Sequence, residues 1–407
     1  VRILYLEWAA MGNEFMQAAM KKKGYEVRIL AFDQKTEDTR YGYELAERIA
    51  KTVMEAPAEY AFAFSFNFFP TIAVACKACR IPYVSWTYDS PFIQLYSETA
   101  RYETNRIFHF DSYEVEKLKA NGVENVWYLP MAAPVAHYDG MDFEKLSAKE
   151  RAYYTSDVSF VGSTYTEKKQ QLYSRFDNLD PYTKGYVDSI VNAQQRVYGY
   201  NFLEEVLTPE IVSKLQKVAP WEVHKDGFET VEWVYADYFL SRMIAAKERR
   251  EILKMLGETF VKNADPAYPK AVVKLFTHEK TPELENAGVK NMGRIDYLNQ
   301  MPYAFKGAKI NLNISLRSIR AGIPLRCMDI MGCGGFLLTN YQPDFMRHFT
   351  PDEDFVFFES MQDLKEKVAY YLTHEDARTA IAESGYRKVK EVHTFEARLG
   401  EMEERIR

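Results

Sequence analysis

The sequence predicts an α/β protein: two doubly wound domains facing each other across a cleft, the second interrupted by a helical insertion. Three observations carry this. Residues 2–129 alternate short apolar runs with amphipathic stretches, the alternation resumes over residues 157–358, and Gly322 to Asn340 reads as loop, short helix, Gly-rich turn and buried strand. Strand–helix alternation implies parallel sheets covered by helices on both faces. Right-handed crossovers then bring the strand C-termini to one edge, where ligands bind.

The elements follow in order. Arg2-Ile-Leu-Tyr-Leu6 is a strand, and Asn13 to Lys23 a helix closed by Gly24. Glu26 to Phe32 is the next strand and Tyr43 to Met54 the next helix. Tyr60 to Phe66, Pro82 to Trp86, Ile107 to Phe110 and Asn125 to Leu129 are further strands with helices between them. The loops Glu7 to Asn13, Asn67 to Pro70 and Thr87 to Pro91 then stand at the binding edge. A linker, about 136–156, leads to the second alternating region, opening with Asp157-Val-Ser-Phe-Val161. From about 175 to 248 only helical patterns occur, which marks the insertion. Strands resume at Ala271 to Thr277, Val289 to Met292, Lys309 to Ile314, Gly335 to Thr339 and Phe355 to Phe358. Helices follow from Met361 to Leu372 and Glu375 to His393, with a last one over 391–407 that crosses back to the first domain. The divisions are 1–135 for the first domain and 157–390 for the second.

Bulk properties narrow the function. A net charge of −6 argues against a nucleic-acid protein, whose footprint would be basic. No apolar run is long enough to span a membrane, and no charged-then-apolar leader opens the chain. Cys76-Lys-Ala-Cys79 lies in an apolar helical run with no second CxxC to complete a zinc site. The cysteines read as buried thiols of a reducing, cytoplasmic compartment, and the His residues show no metal-ligand spacing.

The chemistry concentrates in a few turns. A loop entering a helix presents unpaired N–H groups and a partial positive charge, which suits phosphate. Gly322-Ile-Pro-Leu-Arg-Cys-Met-Asp329 offers this, with Arg326 in the first turn and Asp329 on the same face, where a carboxylate accepts from sugar hydroxyls. Gly334 and Gly335 form the tight turn beyond. The plainer account is a packed helix with Arg326 and Asp329 as an ion pair. Gly162-Ser-Thr-Tyr-Thr-Glu-Lys168 follows a strand: Gly162 permits close approach, Ser163 donates, and Lys168 brings charge; a Ser/Thr cap is the alternative. Gly293 and Arg294 form a turn that can read a nucleobase edge. Arg317, Arg320 and Arg326 are candidates for an anion funnel, a solvated face being the alternative. At the first edge, Asp89 can act as a base or hold acceptor hydroxyls, with Asn67 in the equivalent place one strand earlier and Gly12 in the first loop. Turn or capping roles are the alternatives for Asn67 and Asp89.

These residues carry a family resemblance. Lys309-Ile-Asn-Leu-Asn-Ile-Ser-Leu-Arg317, Gly322-Ile-Pro-Leu-Arg-Cys-Met-Asp329, Gly332-Cys-Gly-Gly-Phe-Leu-Leu-Thr-Asn-Tyr-Gln-Pro343 and His393-Thr-Phe resemble the CgeB-like (spore-maturation type) glycosyltransferases of GT-B architecture. The N-terminal half looks like the domain that accompanies it, through Phe64-Ser-Phe-Asn-Phe-Phe-Pro70, Ser85-Trp-Thr-Tyr-Asp-Ser-Pro91 and Phe108-His-Phe-Asp111. The resemblance implies two Rossmann-like domains, the second binding a nucleotide-sugar and the first an acceptor. The broader retaining GT-B pattern has two glutamates separated by seven residues. Asp329 falls on the second and Ala321 on the first, so that carboxylate is missing. The pattern's phosphate-binding Arg corresponds to Ser163 and its Lys to Lys168.

The expectation is a metal-independent glycosyltransferase with no bound cofactor, taking a UDP-sugar as co-substrate. Gly162, Ser163, Lys168, Arg317, Arg326 and the amides near Gly322 hold the diphosphate, and Arg326 stabilises the leaving charge. Asp329 holds ribose, and Gly293 and Arg294 the base. Gly12, Asn67 and Asp89 meet an acceptor that the sequence does not name, with Asp89 as the catalytic carboxylate. The rivals are a non-catalytic scaffold on the same fold and a GT-B-type nucleotide-sugar epimerase.

Overall fold

Two runs of apolar strands build two separate parallel sheets. The computed structural model describes residues 1–167, 171–263 and 265–406. The first sheet holds β1 (Arg2–Glu7), β2 (Glu26–Ala31), β3 (Tyr60–Phe66), β4 (Tyr83–Thr87), β5 (Asn105–His109) and β6 (Val126–Tyr128). The second holds β7 (Ser156–Val161), β8 (Val273–Phe276), β9 (Lys290–Asn291), β10 (Ala308–Asn313), β11 (Leu337–Asn340) and β12 (Val356–Phe358). Every pairing is parallel. β3 and β4 are almost wholly buried, as strands covered on both faces must be.

Strand order locates the binding edges. The first sheet runs β2-β1-β3-β4-β5-β6, so the winding reverses between β1 and β3. The second runs β12-β11-β10-β7-β8-β9 and reverses between β7 and β10. Such reversals leave a crevice beyond the strand C-termini. The residues around the two crevices are therefore the loops after β1, β3 and β4, and those after β7 and β10.

The insertion lies in the β7–β8 crossover and packs on the first domain. Trp233 packs at a tilt against Tyr96, with ring centroids 4.1 Å apart. Asp226 accepts from Arg40 Nε at 2.9 Å and from the Ser97 hydroxyl at 2.5 Å. One apolar core runs from the first sheet through these insertion helices to the helix Leu325–Gly332, while a second fills the later sheet. The crossover helix Ser241–Leu256 contributes Ile252, Leu253 and Leu256 to that second core. The last helix, Phe395–Ile406, lies on the first domain, where Glu403 pairs with Lys23 at 2.6 Å.

Candidate active site

The crossover helix Ser241–Leu256 turns Ala245, Ala246, Ile252, Leu253 and Leu256 inward, and Arg249 falls within that apolar stripe. Its Nη1 donates to the Ser163 carbonyl and its Nη2 to the Ile314 carbonyl, both at 2.6 Å. Those carbonyls stand just beyond β7 and β10, on the two sides of the second crevice. Arg249 is 9% exposed, and its buried Nε has no hydrogen-bond partner among the described residues. Its guanidinium lies 4.7 Å from the Tyr165 ring centroid. Among the described residues no carboxylate comes within ion-pair distance of it. Burial pulls its pKa below the usual arginine value; Tyr165 and the more distant Glu248 carboxylate oppose this, and Arg326 adds to it. A buried cation left unpaired costs several kcal/mol, roughly, and an anion in the crevice offsets that.

Arg326 occupies the first turn of the helix Leu325–Gly332, as expected, and is 28% exposed. Its guanidinium lies 5.7 Å from the Phe305 centroid and reaches the Met301 sulfur. The two guanidinium groups thus gather positive charge at one crevice.

Several expected donor contacts are otherwise engaged. The amides of Arg320 and Ala321, in the loop that leads to Gly322 and the helix, donate to the Asp111 carboxylate at 2.7 and 3.2 Å. A Cβ on Gly322 would lie 2.9 Å from Asp111 and from Phe110, so Gly322 serves close approach between domains and not a phosphate. Arg317 is sealed in the insertion: it pairs with Glu248 at 2.7 Å, donates to the Gln195 and Val197 carbonyls, and lies over Tyr198. Arg320 pairs with Asp237 at 3.0 Å and Glu204 at 3.3 Å. Neither belongs to a funnel. Gly334 and Gly335 close the helix at its far end, donating to the Met331 and Ile330 carbonyls. They stand a helix length from the crevice, not beside a nucleotide.

Asp329 is fully buried, and its Oδ1 accepts from Tyr138 at 2.7 Å and Tyr297 at 3.0 Å. Its Oδ2 has no hydrogen-bond partner among the described residues and lies 4.0 Å from Arg326. Burial outweighs the Arg326 charge and pushes its pKa up to about 6. Sealed by two tyrosines, this carboxylate braces Arg326 from behind and does not face a ribose.

After β7, the amides of Thr164, Thr166 and Glu167 all converge on the Glu279 carboxylate, at 2.5, 3.0 and 3.1 Å. Burial opposes the Glu279 charge, yet the Glu167 and Thr164 side chains and these amides win and bring its pKa down to about 2. The Ser163 hydroxyl donates to Glu167 at 2.9 Å, so the Gly162–Ser163 turn reaches the crevice with its hydroxyl engaged. Lys168 lies outside the described residues. Gly293 has φ 82°, with open space where a Cβ would stand, and Arg294 is exposed. That turn remains accessible at the sheet edge.

At the first crevice, Asp89 follows β4. One oxygen, Oδ2, accepts from Asn67 Nδ2 at 2.7 Å. Burial raises its pKa, and the Asn67 bond only partly opposes this. No cation reaches ion-pair distance among the described residues. Asn67 itself is fully buried, which excludes the direct acceptor contact expected of it. Gly12, φ 95°, caps the helix Asn13–Lys22 and is partly exposed at the mouth of the first crevice. Ser90 and Ser318 exchange hydrogen bonds at 3.1 and 3.2 Å, joining the β4 loop to the β10 loop across the cleft.

Three residues went unforeseen: Arg249, Glu279 and Asp111. Arg249 had a signal, a charged side chain on the apolar stripe of an amphipathic helix. Glu279 and Asp111 had none, because each finds its amides on a distant segment. Among the described residues, no group of three or more His, Cys, Asp or Glu side chains could hold a metal ion, and no helix is long and apolar enough to cross a membrane.

Residues 241–404 match the glycosyl transferase-like family model. No curated protein sequence matches the chain. Among solved structures, a glycosyltransferase from Rickettsia africae ESF-5 is similar with TM-score 0.53 and 10% identity, over 100% of this chain and 97% of that one. Anabaena Alr3699/HepE in complex with UDP-glucose is similar with TM-score 0.52 and 9% identity, over 99% and 98%. WaaG, a glycosyltransferase involved in lipopolysaccharide biosynthesis, is similar with TM-score 0.51 and 9% identity, over 99% of both chains. A segment that matches the glycosyl transferase-like family model thus lies within a chain that shares the GT-B fold of these structures.

Proposed function

We propose that this enzyme moves a sugar from a UDP-sugar to a hydroxyl-bearing acceptor, with guanidinium groups in place of a metal ion at the diphosphate. The observation that carries this is Arg249, a buried cation without a carboxylate, at the crevice it shares with Arg326. In the reaction the acceptor oxygen bonds to the anomeric carbon while the bond from that carbon to the diphosphate oxygen breaks. The electron pair leaves with UDP, where the fixed charges of Arg249 and Arg326 stabilise it. The acceptor proton passes to Asp89, whose carboxylate has no cation to hold it ionised. Gly293 and Arg294 offer an open turn for the base. The finer placement among CgeB-like transferases, and a cytoplasmic home for the four free thiols, belong to the same proposal.

The second reading is a non-catalytic scaffold on this fold. It is favoured by Ala321 standing where retaining relatives of the architecture carry a glutamate. Nucleotide release from a panel of UDP-sugars separates the two. Turnover that is lost in Arg326→Ala and Asp89→Asn supports the enzyme; no binding and no release from any donor supports the scaffold.

A further inference from the structure

Asn67 is in an uncommon position for a residue that does nothing chemical. It follows β3 with φ 57°, a left-handed conformation where glycine is the default and asparagine is tolerated. Its side chain does not cap the following helix, Pro70–Cys79, whose N-cap Phe69 makes no side-chain cap bond. It reaches across to the next strand end instead. Asn67 Oδ1 accepts from the Tyr88 amide at 3.1 Å and the Asp89 amide at 3.4 Å. Its Nδ2 donates to Asp89 Oδ2 at 2.7 Å. Its backbone is pinned too: the Asn67 amide donates to the Trp86 carbonyl at 2.9 Å, and its carbonyl accepts from Ser65 at 2.7 Å. One amide group thus grips the Asp89 backbone and one of its two carboxylate oxygens.

We propose that Asn67 is the positioning residue of the acceptor base, fixing Asp89 so that Oδ1 alone is left to take the acceptor proton. This rests on the reading of Asp89 as that base. A hydrogen bond donated to a carboxylate favours its ionised form. Asn67 therefore sets both the orientation of Asp89 and the pH at which it becomes basic. The other titratable groups facing Asp89 are Tyr88 on its own loop and Tyr238 from the insertion, both pushed above the usual tyrosine range chiefly by burial. Arg242, 5.3 Å from the Tyr238 centroid, stands behind that ring. Neither tyrosine gives up its proton below alkaline pH, so the acid limb of the rate profile belongs to Asp89.

The test uses the full chain, UDP-glucose as donor, and UDP release to water or an added acceptor between pH 4 and 9. Asn67→Gly keeps the left-handed backbone accessible and removes the amide. Its acid limb moves up by about one pH unit, so kcat falls about tenfold below the limb and recovers on the plateau, with KM for UDP-glucose unchanged. Asn67→Asp keeps the volume but sets two carboxylates side by side, and moves the limb further in the same direction. The infrared carboxylate titration, wild type minus Asp89→Asn, reads the same shift without turnover. Unmoved limbs and an unmoved carboxylate titration in both variants would overturn the proposal and leave Asn67 a turn residue. Full activity in Asp89→Asn sinks the base reading instead, a separate failure from the first.

Discussion

At the strand-end edge of the first sheet stands a carboxylate without a cation, Asp89; at that of the second stands a guanidinium without a carboxylate, Arg249. Elsewhere among the described residues buried charges meet an opposite charge or are fully engaged by the backbone, as Lys274 is by the Ala152 and Tyr153 carbonyls and Asp111 by the Arg320 and Ala321 amides. Arg317 meets Glu248 and Arg320 meets Asp237, each pair less than a tenth exposed. Glu248 and Arg249 are even neighbours on one helix, one turned to an ion pair and the other to the crevice. The two edges where topology opens a crevice thus carry charge without an ion-pair partner among the described residues, with opposite sign on each. That matches a transfer in which one side accepts a proton and the other receives a departing diphosphate.

Substitutions at the two arginines give the sharpest way to break this contrast. Arg249→Met removes the crevice charge at similar volume. Turnover of a UDP-sugar should fall about 100-fold or more, and UDP should lose the rise in melting temperature expected of a ligand that binds the native state. Arg317→Met strands Glu248 in the interior. Stability should fall by about 3–5 kcal/mol, while the folded fraction keeps its rate. Steady-state kinetics beside a denaturant titration checks both. If Arg317→Met lost rate and Arg249→Met lost only stability, the assignment of the two roles would be reversed.

Asp329 tests the donor side by pH. Its pKa rises on folding from 3.8 to about 6, through burial. The folded state therefore binds its proton more tightly than the unfolded chain does. The stability this brings is complete below pH 3.8 and disappears as pH rises through about 6. Asp329→Asn does not titrate. Relative to wild type it should gain stability between pH 4 and 7, by up to about 3 kcal/mol for a shift of this size. Melting curves at both pH values check the sign. A constant difference would mean that Asp329 stays ionised throughout, as a carboxylate open to ribose would.

How far the sequence was legible follows from the range of each signal. Local periodicity and turn residues mark elements, so Tyr43–Met54 and Tyr60–Phe66 emerge with the bounds expected of them. Arg326 was legible because a helix entrance is a local feature. Arg317 was misread because its partner, Glu248, lies far away in the chain, within a stretch read only as helical. The loop amides just before Gly322 were misread for the same reason: Asp111, from the other domain, already occupies those of Arg320 and Ala321. Charge clusters in a sequence show where cations are. Whether a cation is neutralised depends on the folded partner, and that is what separates Arg249 from Arg317.

The smallest effect bears on glycine. Gly334, φ 76° with open space where a Cβ would stand, was expected beside the nucleotide and instead closes the helix at the far end. Gly334→Ala meets no atom, so only the left-handed backbone resists it, at about 1 kcal/mol. The melting temperature should drop by a few degrees while kcat and KM for a UDP-sugar stay at wild-type values. A rise in KM would instead put the diphosphate at this turn and remove it from Arg249. Unlike the arginine pair, this substitution adds no charge and frees none, so any kinetic effect would have to come from contact with the donor itself.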